Sequence, residues 1–297
     1  MGKKAQKSWD HQVNGLKNPV GIISYCRQAF PVLGSKTATR KALADGRLLL
    51  NGKPAMPQDA VKNGDHLQLT GLGLQQVREF DAELEIIFED DHLLVVNKPG
   101  GIAVNGMRNK TVENAVAGTA QISSQADALP RPVAAHRIDV PTKGLVLLAK
   151  TKSALIRLGK AFQQNEIQKE YVAVVHGRPP EKGKIERPVQ GKPARTHFQT
   201  ESSAPSQVFG HLALVRLHPQ TGRTHQLRIH MQRLGHLIVG DKQYAGRQKT
   251  ILGKGLFLCA CSLGFTHPAT GKQMKFRIDP PSRFRKLLQR EKERFLR

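Results

Sequence analysis

Apolar and polar positions along the chain fall into short segments of two different periods. Within 152–165, Leu155, Leu158 and Phe162 recur at i, i+3 and i+7, which is one face of a helix. The segments 170–176 and 211–217 read instead as strands, and 84–100 reads as two strands around an acidic turn closed by Pro99-Gly100-Gly101. A Gly, Pro and Lys rich run from 177 to 193 is expected to be a loop able to reach a large ligand. From Ser282 onward, Phe284, Leu287 and Leu288 form an apolar stripe among seven basic residues and two acids. That pattern predicts a short helix packed on the body with its other face charged.

The amino end reads differently. Residues 1–19 carry no period and are expected to be a flexible leader. Residues 20–70 form a small basic module. Its segment 35–46 predicts a helix, with Ser35 or Thr37 as cap, Gly46 just past the end, and Lys36, Arg40 and Lys41 on the exposed side. A strand then ends in an Asn51-Gly52 turn, and a turn at Asn63-Gly64 leads to a last strand. Residues 71–82 read as a linker, and 83–297 as a larger domain. The fold class expected is α+β: a mixed, mainly antiparallel sheet domain preceded by a small α/β module.

Charge changes the picture most. The 297 residues carry 47 Lys and Arg against 23 acids, a formal charge of +24. Such an excess binds a polyanion, of which nucleic acid is the commonest and an anionic membrane surface another. No run of 18 apolar residues spans a bilayer and no apolar signal segment follows Met1, so a cytoplasmic protein without a membrane anchor is expected. Cys26, Cys259 and Cys261 form no disulfide framework, and alternation puts the last two on one face of a strand as ordinary buried thiols. The histidines at 225, 230 and 236 do not match zinc spacings, and no dinucleotide fingerprint or phosphate loop appears. Neither a metal nor a cofactor is expected.

Three segments join polar side chains to a strand or turn: His136-Arg-Ile-Asp139, Lys169-Glu-Tyr171 and Thr221-Gly-Arg-Thr-His-Gln-Leu-Arg-Ile-His230. Read as a strand, the third sends Arg223, His225, Leu227 and Ile229 to one face and Thr224, Gln226, Arg228 and His230 to the other. Each feature also has an ordinary reading. An aspartate ahead of a strand usually caps or faces water, a tyrosine opening a strand usually lies between core and solvent, and arginines in a basic protein are usually solvated.

Taken together and in order, these segments resemble a known family. His136-Arg-Ile-Asp139 with Thr142 and 144–150, Lys169-Glu-Tyr171, 222–230, Gly240-Asp241 with Tyr244, and 265–271 are similar to the pseudouridine synthases of the RluA type. Asp91 to Gly100 resembles the opening strands of the same catalytic domain, and 20–70 resembles the alpha-L RNA-binding motif that many members carry. The resemblance implies a cofactor-free isomerisation of uridine to pseudouridine in structured RNA. It implies Asp139 as the catalytic carboxylate, Tyr171 as the active-site tyrosine, Arg228 as the basic partner of the aspartate, and Arg137 as the residue filling the gap of a flipped base. Leu258, or failing that Leu263, corresponds to the apolar residue lining the pocket. Arg223 and His225 are expected beside the substrate, with Lys36, Arg40, Lys41 and the basic tail on phosphates.

Where members usually have Asp-x-x-Thr-Ser-Gly, this chain has Asp139-Val-Pro-Thr-Lys-Gly144. The change is expected to alter substrate contact or loop rigidity while leaving the acid intact. Whether Asp139 attacks C1′ or removes a ribose proton stays open at this level. Large-subunit ribosomal RNA is the expected partner of a monomeric enzyme, with transfer RNA, or a catalytically silent RNA-binding protein, as the alternatives.

Overall fold

The computed structural model describes residues 9–16, 18–30, 33, 36–70, 84–106, 110–247, 250–251 and 253–297. They divide into two compact units, Met1–Arg78 and Glu79–Arg297. Among the described residues, no helix is long and apolar enough to cross a membrane.

The first unit runs β1 (Trp9–Gln12), β2 (Val20–Gly21), α1 (Ile22–Ala29), α2 (Lys36–Ala44), β3 (Leu48–Leu50), β4 (Lys53–Pro54), β5 (Ala60–Val61) and β6 (His66–Leu69). Its main sheet has the order β1-β6-β3-β4, and β2 pairs with β5. Asn51 and Gly52, at φ 51° and 78°, form the hairpin turn, whose geometry requires two left-handed residues. Ile22, Cys26, Phe30, Leu43, Leu48 and Leu67 close the core beneath the helices. Lys36, Arg40 and Lys41 lie exposed on α2, opposite buried Thr39, Ala42 and Leu43.

From residue 9 onward the expected leader is corrected, while residues 1–8 and 17 lie outside the described residues. Residues 9–12 are an edge strand in register with β6 from Trp9↔Leu69 to Gln12↔His66, and Val13 is fully buried. Asn63 adds two hydrogen bonds to the backbone of Leu16, at 2.8 and 2.6 Å. Trp-Asp-His-Gln has no apolar alternation to read, because this edge is ordered by its backbone ladder. Ser35, and residues 71–82 expected as a linker, lie outside the described residues.

The second unit runs β7 (Glu85–Glu89), β8 (Leu93–Lys98), α3 (Val112–Val116), β9 (Ala128–Ala134), β10 (Lys143–Thr151), α4 (Lys152–Gln163), β11 (Gln168–His176), β12 (Lys182–Ile185), β13 (Thr196–Ser206), β14 (Gly210–Pro219), α5 (Gln226–Arg233), β15 (Leu258–Thr266), β16 (Gln273–Arg277) and α6 (Arg283–Phe295). Ten strands form one sheet with the path β12-β13-β14-β11-β15-β10-β8-β7, while β16 joins β15 and β9 joins β10. The expected loop at 177–193 therefore contains a strand. Lys182–Ile185 pairs with β13, and Gly183 sits where a Cβ would lie 2.6 Å from the Phe198 ring, so the glycine that suggested a loop admits a close packing contact.

Alternation along β11 and β15 gives this part of the sheet two faces. Tyr171, Ala173, Val175 and Leu258 pack with Leu227 and Met231 of α5. Val172, Val174, Cys259 and Cys261 pack on the other side with Phe284, Leu287 and Leu288 of α6. The basic tail thus lies across the sheet from α5.

At the centre of the sheet, the named strands make one parallel pairing among the described residues. Lys143↔Cys259 and Gly144↔Ala260 join the starts of β10 and β15, which then diverge and take β9 and β16 as new neighbours. Contact is so close that a Cβ on Gly144, at φ +121°, would lie 2.2 Å from the Ala260 carbonyl oxygen. Across β10, Gly144 pairs with Lys98, whose fully buried ammonium donates to the carbonyls of Pro99, Ile102 and Val140 at 2.9, 2.9 and 3.1 Å. Burial pushes the Lys98 ammonium down to about 8, against the opposing influence of nearby Asp139.

Two predictions follow from this seam. Gly144→Ala combines positive-φ strain with overpacking and is expected to cost about 3 kcal/mol or more, whereas Gly159→Ala, in the open interior of α4, gains about 0.5–1 kcal/mol. Urea unfolding of both variants checks this, and equal stabilities would contradict it. For Lys98, the folded state releases its proton at lower pH than the unfolded state, which retains it to about 10.5. Between those values the unfolded chain binds more protons, so this residue makes stability rise with pH, by about 3 kcal/mol across the window. Wild type and Lys98→Met, unfolded at several values from pH 7 to pH 10, are expected to diverge with that sign; parallel curves would refute the assignment.

Candidate active site

Asp139 stands in the loop entering β10, at the point where β10 and β15 meet. Its carbonyl accepts the Thr142 N–H at 3.0 Å, and the next carbonyl, Val140, accepts from Gly101 N at 2.8 Å as well as from Lys98. The loop is thereby fixed from both sides before its carboxylate engages anything.

The carboxylate faces Arg228, whose Nη1 donates to Asp139 Oδ2 at 3.3 Å. Arg228 is itself held from behind. Its Nε and Nη2 donate to the two carboxylate oxygens of buried Asp241 at 2.7 and 2.8 Å, Nη2 also reaches Gln243 Oε1 at 3.1 Å, and the guanidinium lies 5.0 Å from the Tyr244 ring centre. Burial opposes the charge on Arg228, but the hydrogen bonds and charges of Asp241 and Asp139 together outweigh it and raise the pKa. A fork filled by one carboxylate leaves a single edge for the other. Asp139 is consequently oriented by a cation already largely neutralised, and keeps one oxygen directed away from it.

His225 adds a third contact. Its Nδ1 hydrogen-bonds to Tyr244 OH at 2.8 Å, and its Nε2 lies 3.9 Å from Asp139 Oδ1. The residue takes φ 57°, the left-handed conformation, just ahead of α5.

The strand reading of 223–230 is corrected by that helix. Gln226 Oε1 accepts from Thr221 Oγ1 at 2.7 Å and from Arg223 N at 3.1 Å, tying the turn ahead of the helix to the helix's first residue. At helical spacing, Gln226 and His230 both meet Thr196, each at 3.0 Å. Alternating polar and apolar residues imitate a strand here because three polar side chains of the helix, Gln226, Arg228 and His230, have buried partners.

A cleft of about 470 Å³ opens over Asp139 and takes in Arg137, Tyr171, Arg223, His225, Arg228 and Leu258. These residues come together from the loop before β10, from β11, from the turn into α5 and from β15. A register shift between Glu170 and Tyr171 skips Cys261 and sets Tyr171 opposite Ala260. Such a bulge re-aims a side chain, and Tyr171 lines the cleft. Burial, and then Asp139, push the phenol well above its ordinary range, so it holds its proton at neutral pH. Leu258 lies in the wall, while Leu263 belongs to the core packed by Leu158 of α4. Arg137 is exposed at the rim, and Arg223 donates from its Nε to Pro193 O at 3.0 Å.

His136 completes one wall. It stacks on Phe162 at 4.7 Å and accepts the Leu147 N–H at 3.0 Å on Nε2. Burial, reinforced by Lys169, drives its pKa down to about 3, so it is a neutral packing and accepting group.

Lys143 is not among the residues lining the cleft: it pairs with Cys259, whose side chain packs under α6. Asp241 and Lys98 were not marked as site residues by spacing, although both stand in segments that carry the family resemblance. Each is a buried charge, and only its partners, far away in sequence, reveal its role.

The geometry can now be set beside known proteins. The family model for RNA pseudouridylate synthases matches residues 92–233. Ribosomal large subunit pseudouridine synthase D of Vibrio vulnificus is 32% identical over 279 residues, covering 83% of each chain. Ribosomal large subunit pseudouridine synthase C of Escherichia coli is 33% identical over 281 residues, covering 83% of this chain and 84% of that one. Among solved structures, human RNA Pseudouridylate Synthase Domain Containing 4 superposes with a TM-score of 0.56 at 25% identity, over 69% of this chain and 92% of its own. With the acid loop, the tyrosine strand and the arginine helix in place around one cleft, the chain belongs to the RluA-type pseudouridine synthases and is an RNA pseudouridine synthase.

Proposed function

We propose that the chain converts uridine to pseudouridine in large-subunit ribosomal RNA, with Asp139 as the group acting at the ribose. One observation carries the chemical part. The Asp139 carboxylate stands in a basic cleft, oriented by Nη1 of an arginine whose Nε and Nη2 are taken up by Asp241 and Gln243. The ribosomal part is supported by the relatives from Vibrio vulnificus and Escherichia coli, whose names specify that RNA.

Isomerisation breaks the N1–C1′ bond, turns the uracil and forms C5–C1′. The proton leaves C5 and N1 gains one, so no atom or electron is added overall. The base must first leave its stack, at a cost of a few kcal/mol. Arg137, exposed at the rim, is placed to fill the gap. Tyr171 offers a protonated ring for stacking against the uracil, and Leu258 gives an apolar wall. Attack of Asp139 on C1′ and removal of the ribose 2′ proton both require the same carboxylate, which Arg228 orients. In the first unit, exposed Lys36, Arg40 and Lys41 suit a sequence-independent hold on phosphates.

Asp139→Asn preserves shape while removing the charge. It is expected to abolish tritium release from RNA labelled at uridine C5 while leaving RNA affinity within about 3-fold of wild type, because phosphate contacts dominate affinity. Gene deletion in the native host, with pseudouridine mapped in ribosomal and transfer RNA, tests the substrate. A mark lost from large-subunit RNA, restored by wild type and not by Asp139→Asn, is the expected result. Loss confined to transfer RNA would replace the ribosomal assignment, and tritium release by the Asn variant would remove Asp139 from its role.

A further inference from the structure

Beside the catalytic cleft lies a second and larger groove of about 940 Å³. The two share Asn165, Lys169, Pro219 and Thr221 in their walls, so they are continuous. A single flipped nucleotide does not need both.

The groove sets a few polar and basic groups into walls that also carry Ile167, Pro188, Pro193, Ala194 and Pro219. Lys169, Arg195 and His218 line it along with the amides Gln168 and Gln220, and Glu186 is its one acid. That acid is already engaged: Arg195 Nε lies 2.7 Å and Lys184 Nζ 3.3 Å from its carboxylate oxygens. Lys169 is different. It sits on β11 two residues before Tyr171, half-buried at the passage between the cavities, and its ammonium has no hydrogen-bond or ion-pair partner among the described residues. A half-buried cation without a counter-charge gives up part of its hydration uncompensated. Burial accordingly presses its pKa downward. The cost is offset when an anion enters.

We propose that this groove is the subsite for the RNA strand continuing from the target nucleotide, and that Lys169 receives the phosphodiester joining the nucleotide in the cleft to its neighbour in the groove. The occupant is RNA by continuity with the catalytic cleft and by charge, so the inference rests on the RNA pseudouridine synthase reading. One phosphate at the passage pairs the unpartnered ammonium. The next residues of the strand meet Arg195 and His218 and the amides, which suit phosphate and base edges without demanding one sequence. Lys169 is on this view a positioning residue: it fixes the backbone on one side of the nucleotide whose ribose must meet Asp139.

The test is RNA binding by the full chain across a range of salt, using unmodified large-subunit ribosomal RNA transcribed in vitro from the host sequence. Lys169→Met is expected to weaken affinity by about 10-fold near ~0.1 M salt. It should also flatten the slope of log affinity against log salt by about 0.7–0.9, the value for one phosphate. Its unfolding midpoint should not fall, because an apolar chain replaces an unpaired cation, and Lys169→Arg should restore binding. Glu186→Gln carries the opposite sign: by releasing Arg195 and Lys184 it should tighten binding about 2- to 5-fold. Unchanged affinity and slope in Lys169→Met would overturn the proposal. If Lys169→Met loses both affinity and stability, Glu186→Gln decides: tighter binding supports the subsite, and unchanged binding rejects it. Tritium release by wild type is measured in parallel. Its absence would count against the enzymatic reading, while the binding series still judges the groove.

Discussion

The close parallel contact between Gly144 and Ala260 is the constraint on which the catalytic unit depends. A residue with a side chain at 144 would hold the starts of β10 and β15 apart. Held together, they bring the loop carrying Asp139 beside the strand carrying Leu258, and β11 follows in register with Tyr171. Lys98 secures the other flank by gathering three carbonyls, one of them in the acid loop itself. Rigid backbone fixes the carboxylate's position, and charge then fixes its orientation.

That second step uses two acids on one arginine. Asp241 has the better geometry and deeper burial, so it acts as the permanent counter-ion. Asp139 has the longer contact and a side chain about 20% exposed, so it remains available to a ligand. Had Asp139 been the sole partner of Arg228, it would have been held as tightly as Asp241 is. Sharing the arginine leaves its carboxylate the more loosely held of the two.

Much of this was legible along the chain, for reasons that differ by residue. Strands buried on both faces, such as 143–151 and 168–176, announce themselves by apolar content, and the Asn51-Gly52 turn by the φ it requires. Asp139, Tyr171 and Arg228 stood out through family resemblance, since spacing alone leaves each an ordinary surface residue. Edge strand 9–12 escaped because its order comes from backbone pairing, which has no side-chain signature. Helix 226–233 was misread because hydrogen-bonded polar residues obscured its period. Asp241 and the groove around Lys169 were out of reach for a simpler reason. Their meaning lies in neighbours brought together from distant segments.

The position of α6 has a kinetic consequence. Arg285, Lys286, Arg290, Lys292 and Arg294 are exposed on a helix that packs against the sheet face opposite α5. A polyanion arriving from solution is attracted to that side of the sheet as well as to the cleft side. Raising the ionic strength screens both attractions. Encounter with a large polyanion is therefore shared between the two sides of one sheet, and its rate falls with salt more steeply than the cleft's own charges would require.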